Sequence, residues 1–150
     1  MTVCIDVTLP PQNYRAQPLV VVAAGILIDA DGRVLLTSRP AGKSFAGMWE
    51  FPGGKLESQE SPEQALVREL REELGITTTI GCLSPLSFVS HAYETCHVLM
   101  PVFSCRVWDG IPTPREAQKL AWVTLREMAA YELLPADRPL AVRLRELLAL

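Results

Sequence analysis

The chain has 150 residues, room for one hydrophobic core and not comfortably for two. Its 49% apolar and 21% charged residues suit a folded domain, and it holds no apolar run of about 18 residues, which excludes a helical membrane span. A net charge of −3, with no long cluster of Lys and Arg, argues against a nucleic-acid polymer as the partner. Residues 1–18 contain Pro10, Pro11 and Pro18 and read as an irregular arm. They lack a basic start followed by an apolar block, so no secretory signal is expected. Cys4, Cys82, Cys96 and Cys105 form no C-x-x-C pair, which argues against zinc and for reduced thiols in a cytoplasmic protein.

Residues 19–150 read as a single domain. Leu19 to Ile28, LVVVAAGILI, is β-rich and too short for a membrane, so it predicts a buried strand. Asp31-Gly32 turns the chain and Arg33 to Ser38 returns it. Arg39 to Gly54 is loop-like, with an aromatic patch at Trp49 and Phe51. Ser61 as cap, Pro62 at the first position and Gln64 three residues after the cap mark a helix that Gly75 ends. Leu83 to Ser90 and Cys96 to Val107 predict strands joined near Tyr93-Glu94, and Leu120 to Val123 a further short one. Thr124 caps a short helix, and Pro139 opens a C-terminal helix ending near Leu150. Phe88, Leu99 and Phe103 are expected in the core, and Trp49, Trp108 and Trp122 in packing or stacking roles. The irregular alternation of strands and helices predicts an α/β (α+β) fold with a mixed sheet covered by helices.

The helix from Ser61 has an unusual surface. At about 100° per residue, Leu66, Val67, Leu70 and Leu74 share one stripe, while Glu69, Glu72 and Glu73 share the arc beside it. Like charges three and four residues apart cost an isolated helix a few tenths of a kcal/mol per pair. Arg68 can orient one of these carboxylates and cannot neutralise three. The arc is either a solvated face that tolerates repulsion or a set of oxygen ligands for a hard divalent cation.

The residues around this helix complete a longer pattern, G-x5-E-x7-R-E-U-x-E-E-x-G-U, where U is bulky and aliphatic. Gly54, Glu60, Arg68, Glu69, Leu70, Glu72, Glu73, Gly75 and Ile76 occupy every specified position. The pattern resembles the signature of the Nudix hydrolases. That resemblance implies a Nudix fold, with a mixed sheet between helices, and cleavage of a nucleoside diphosphate linked to another group with Mg²⁺ or Mn²⁺. It implies Glu69, Glu72 and Glu73 as metal ligands and catalytic residues, with the carbonyl of Gly53 as a further ligand. Glu60 and Arg68 would pin loop and helix, and Gly54 and Gly75 would be structural. Lys55 would approach a phosphate, or else remain a solvated lysine.

Three further segments narrow the resemblance. RPAGKSFAGMWEFPGGK, Arg39 to Lys55, is similar to the MutT branch, which removes oxidised nucleoside triphosphates. It implies Arg39 at the phosphates and Glu50 near the metal site, with Phe51 beside the substrate; the plain alternative for Arg39 is a surface arginine. PREAQKLAWV places Glu116 where that branch has a further metal ligand or general base, or else an ordinary loop carboxylate. LLPADRP places Asp137 either as a reader of the nucleobase edge or as the cap of the last helix. His91 and Tyr93 share a strand face and either line a base pocket or make an aromatic contact across a hairpin. The expected activity is hydrolysis of 8-oxo-dGTP to the monophosphate and pyrophosphate by water attacking the β-phosphorus, a step that prevents mutation. The alternatives are a CTP or 5-hydroxy-CTP pyrophosphohydrolase, or a non-catalytic module recognising oxidised bases in DNA. The expected partner is a small nucleoside triphosphate, with no nucleic-acid polymer and no membrane, acting on a monomer or weak dimer.

Overall fold

The computed structural model describes residues 17–148, so the arm expected at the N-terminus lies almost wholly outside the described residues. Eleven segments follow in order. They are β1 (Leu19–Leu27), β2 (Val34–Ser38), β3 (Trp49–Glu50), β4 (Gly53–Lys55), α1 (Pro62–Leu74), a 3₁₀ turn (Ile80–Cys82), β5 (Leu83–Ala92), β6 (His97–Cys105), β7 (Leu120–Val123), a second 3₁₀ turn (Glu127–Ala130) and α2 (Arg138–Leu147).

The strands form two sheets where the sequence suggested one. The larger has the order β4-β1-β6-β5, with β1 and β6 parallel and the other pairs antiparallel, so the expected mixed sheet is present. The smaller, β3-β2-β7, is antiparallel. β3 and β4 lie inside the segment expected to be loop; two or three residues are too few to show a period of two.

α1 begins as its residues dictate. Ser61 Oγ accepts from the Gln64 N–H at 3.2 Å, and Gln64 Oε1 accepts from the Ser61 N–H at 2.8 Å. Gly75 ends it at φ 70°, donating its N–H to the Arg71 carbonyl. Ala65, Leu66, Leu70 and Leu74 are fully buried against Ala23, Leu27 and Leu35, while Val67 sits at the margin. A second cluster on the other side of the large sheet joins Ile26, Val98, Met100 and Val102 to Leu140 and Leu144 of α2.

Four expectations fail. Phe103 is core as expected, but Leu99 is only half-buried and joins neither cluster, and Phe88 is 68% exposed. It pairs with Pro101 on the face opposite Val89, and α1 covers β1 and β4 but not this edge strand. Leu86 is the extra residue of a bulge between Pro85 and Ser87, which sets that register. Leu19, expected to be buried, is 63% exposed, because burial of β1 begins in its second half. Asp137 stands just before α2, but its side chain makes no capping hydrogen bond, and the helix starts at Arg138 rather than Pro139.

Candidate functional site

The antiparallel β1–β4 pair sets Gly53 opposite Ala24 and Gly54 opposite Ala23, and brings this strand against α1. A Cβ on Gly54 would lie 2.3 Å from Cδ of Glu69, so the bare glycine lets that carboxyl lie against the strand. The backbone N–H of Gly53 lies near enough to Glu73 to favour its ionised carboxyl slightly, against the effect of burial. The glycine pair and the acidic face of α1 are therefore one structure.

Arg68 organises the helix side. Its Nε and Nη2 donate to the two oxygens of Glu60 at 2.6 and 2.9 Å, a bidentate pair. Nη2 also donates to the Lys55 carbonyl at 3.0 Å, and Nη1 to Glu69 at 2.8 Å and Glu72 at 3.3 Å. Glu60 accepts the Glu57 N–H as well, at 2.8 Å. The Arg68 bonds first, then this backbone bond, hold the Glu60 carboxyl down at about 2.

Glu73 behaves oppositely. Burial first, then the charges of Glu69, Glu116 and Glu50, push its carboxyl up to about 8. Burial also raises Glu69, against the pull of Arg68, and raises Glu50, against the pull of Arg39 and Lys43. Four carboxylates thus share one field. Their oxygens suit a hard divalent cation, which would cancel this repulsion. Among the described residues, however, no three of these groups are aimed at a common ligating point, and Glu69 and Glu72 are turned onto Arg68.

Glu116 reaches the cluster from the loop before β7. Two residues the sequence did not single out hold it. Gln118, only 8% exposed, accepts the Glu116 N–H at 2.7 Å through Oε1 and donates Nε2 to the Glu73 carbonyl at 2.8 Å. Lys43 faces the Glu116 carboxylate at 3.7 Å. A glutamine two residues along a loop carries no signal of this; only the fold brings it to the end of α1.

Two cavities meet here. The polar one, about 450 Å³, is lined by Glu69, Glu72, Glu73 and Glu116 together with Lys43 and Arg68. The other, about 600 Å³, is lined by apolar groups including Phe51, Met100 and Leu134, with Tyr93 and Asp137. Arg39, Glu50, Gly53 and Lys55 line both. Arg39 Nη1 pairs with Glu50 at 3.3 Å, so neither is a free surface charge. Asp137 is 4% exposed, and burial, with Glu50 adding to it, raises its carboxyl well above the usual range.

Tyr93 faces the apolar cavity, its hydroxyl accepting the Ala136 N–H at 3.3 Å. His91, near the end of β5, packs edge-on against it at 4.6 Å, a contact between near neighbours in the chain rather than across the hairpin. Trp49 packs on Tyr131 and Trp108 stacks on Trp122, so these rings are structural. Cys82, Cys96 and Cys105 are free thiols. Among the described residues no helix is long and apolar enough to cross a membrane.

Known proteins resemble this chain over most of its length. The CTP pyrophosphohydrolase of Escherichia coli K12 is 46% identical over 123 residues, covering 80% of this chain and 86% of its own. The 8-oxo-dGTP diphosphatase of the same organism is 34% identical over 126 residues, covering 84% of this chain and 96% of its own. A structure from the pair of MutT proteins of Aliivibrio salmonicida and Vibrio cholerae superposes with a TM-score of 0.71 at 35% identity, covering 83% of this chain and 95% of its own. The NUDIX domain family matches residues 23–142, the span that holds both glycines, the whole acidic face of α1, Glu116 and Asp137. The chain belongs to the Nudix family and is a MutT-like hydrolase.

Proposed function

We propose that this hydrolase cleaves nucleoside triphosphates to the monophosphate and pyrophosphate, with 8-oxo-dGTP as the leading substrate. One observation carries the reading: a carboxylate-lined cavity opens, through Arg39, Glu50, Gly53 and Lys55, into an apolar cavity that has a buried carboxyl in its wall. A polyphosphate suits the first and a planar base the second. The Asp137 carboxyl offers hydrogen bonds to a base edge, and its failure to cap α2 leaves it available for that.

Glu69, Glu72, Glu73 and Glu116, with the Gly53 carbonyl, are the groups that would hold the cation. Members of the family generally use divalent metals; here Mg²⁺, or Mn²⁺ in its place, would neutralise phosphate charge and acidify a water. Arg39 and Lys55 attract the phosphates from the shared wall. Arg68, fixed by Glu60, holds Glu69 and Glu72 in place, and Gln118 holds the Glu116 loop to Glu73. The attack would fall on the β-phosphorus. The protein would act in the cytoplasm as a monomer or weak dimer on the free nucleotide pool, ahead of DNA replication, with no polymer or membrane partner.

A CTP or 5-hydroxy-CTP pyrophosphohydrolase is the second reading, favoured by the 46% identity to the E. coli enzyme of that name. A non-catalytic base-recognising module would not need this carboxylate set. The deciding experiment is kcat/KM for dGTP, 8-oxo-dGTP, CTP and 5-hydroxy-CTP, with Mg²⁺, with Mn²⁺ and with chelator. The expected result is turnover abolished by chelator and an advantage of 8-oxo-dGTP over dGTP. An equal kcat/KM for those two, with CTP well above both, would give the activity to the second reading. Hydrolysis indifferent to chelator would overturn both.

A further inference from the structure

We propose that Phe45 is a base-stacking residue that helps set substrate specificity, presented on a strained loop at the mouth of the apolar cavity. This rests on reading that cavity as the nucleoside site. Phe45 is a large aromatic left 46% exposed, yet it lines the cavity. Its backbone is left-handed, at φ 59°, a region that favours glycine and that bulky side chains avoid. The same loop uses Gly42 and Gly47 where it needs positive φ elsewhere. A phenylalanine at such a position carries backbone strain without the burial that would repay it in the fold.

The loop is built to hold it. The Met48 N–H donates to the Phe45 carbonyl at 3.1 Å, and the Gly47 N–H to the Arg39 carbonyl at 2.9 Å. Arg39 Nε donates to the Ser44 carbonyl at 2.8 Å, tying the ring's loop to the arginine of the shared wall. Opposite stands Tyr93, fixed through its hydroxyl by Ala136, by the His91 ring, and at its carbonyl by Gln17 Nε2 at 2.9 Å. The Phe45 and Tyr93 centroids lie 5.9 Å apart at 49°, so the rings touch. A base held flat between them would need about 7 Å, two contact distances of ~3.5 Å. Phe45 therefore rests on Tyr93 and swings from it, through its exposed side chain, to cover an entering base.

The test separates a stacking role from a structural one. Phe45→Ala and Phe45→Gly should raise KM about 10-fold for the preferred nucleoside triphosphate, the scale of one base–aromatic stack, while kcat falls less than ~threefold. Phe45→Gly also relieves the backbone, so its Tm should equal or exceed that of the parent. Phe45→Trp should restore KM. Its fluorescence should be quenched, beyond the parent's, by the matching nucleoside monophosphate and not by inorganic phosphate. An unchanged KM in a stable Phe45→Gly variant, or a Phe45→Trp signal blind to the monophosphate, would overturn the proposal. A parent chain that turned over no nucleotide would sink the proposed activity instead, and the fluorescence titration would still decide the stacking.

Discussion

Gly53 and Gly54 are neighbours on β4 with different constraints. A Cβ on Gly53, at φ 152°, would meet the backbone oxygen of Ala23 at 2.0 Å, and backbone cannot step aside. Gly53→Ala should cost about 3 kcal/mol or more of stability, read by denaturant titration. The three atoms nearest a Cβ on Gly54 all belong to the movable carboxyl of Glu69. Gly54→Ala should leave a folded protein whose kcat/KM falls about 10²-fold, the effect expected of displacing Glu69 if it has the role proposed for it. If Gly54→Ala kept parental kcat/KM, Glu69 would not need its present position. Asp137 supports a pH prediction. Its carboxyl is raised from the ordinary 3.8 by burial, so the unfolded chain gives up its proton first as pH rises. Its contribution therefore favours the fold at acid pH and declines from about pH 4 upward. Asp137→Asn cannot titrate, so at pH 8 its Tm should exceed the parent's, with the gap closing towards pH 4. A constant gap would show that burial of the charge is not the cause.

At the scale of elements, α1 was the most legible part of the chain, because its signals are local. Ser61, Pro62, Gln64 and Gly75 all stand within a turn of the ends they define, and all act as expected. Ser61→Ala removes one half of the capping box. It should lower stability by about 1 kcal/mol, or roughly 2–4 °C in Tm, with little change in kcat because the carboxylates lie two turns further on. An unchanged melt would mean the helix is held wholly by its buried face. Less legible were β3 and β4, too short for any periodicity, and β5, where one bulged residue exposes Phe88. The capping role weighed for Asp137 failed for a reason of conformation: type and place suited a cap, but its backbone is already helical, at φ −86° and ψ −22°, where a capping residue is extended.

At the scale of the molecule, the site divides along a similar line. Glu69, Glu72 and Glu73 were legible because one helix fixes their spacing, whereas Glu60, before that helix, and Arg68, within it, were picked out through the resemblance to the Nudix signature. Gln118, Lys43 and Phe45 were not, since each matters through an approach between distant segments that no local pattern encodes. That assembly also links pH, metal and stability. Glu73 is pushed up to about 8 by burial and by three other carboxylates drawn from β3, α1 and the Glu116 loop. Without added cation, ionising it inside the fold is costlier than in the unfolded chain, whose glutamate titrates near 4.5. Stability from this group is therefore complete below about pH 4.5 and is lost as pH rises towards 8. A divalent cation held by Glu73, as proposed above, would need the ionised form and would have to displace the proton, so its grip would strengthen over the same interval. The Tm gained on adding Mn²⁺ should thus be small at pH 6 and grow towards pH 9, approaching about 2.7 kcal/mol of stabilisation when the ion stands at 100 times its Kd. Glu73→Gln should flatten the pH dependence of that gain as well as shrink it. A gain that was already full at pH 6 in the parent protein would show that the cation does not compete with the Glu73 proton, and would move the ligand set away from this residue.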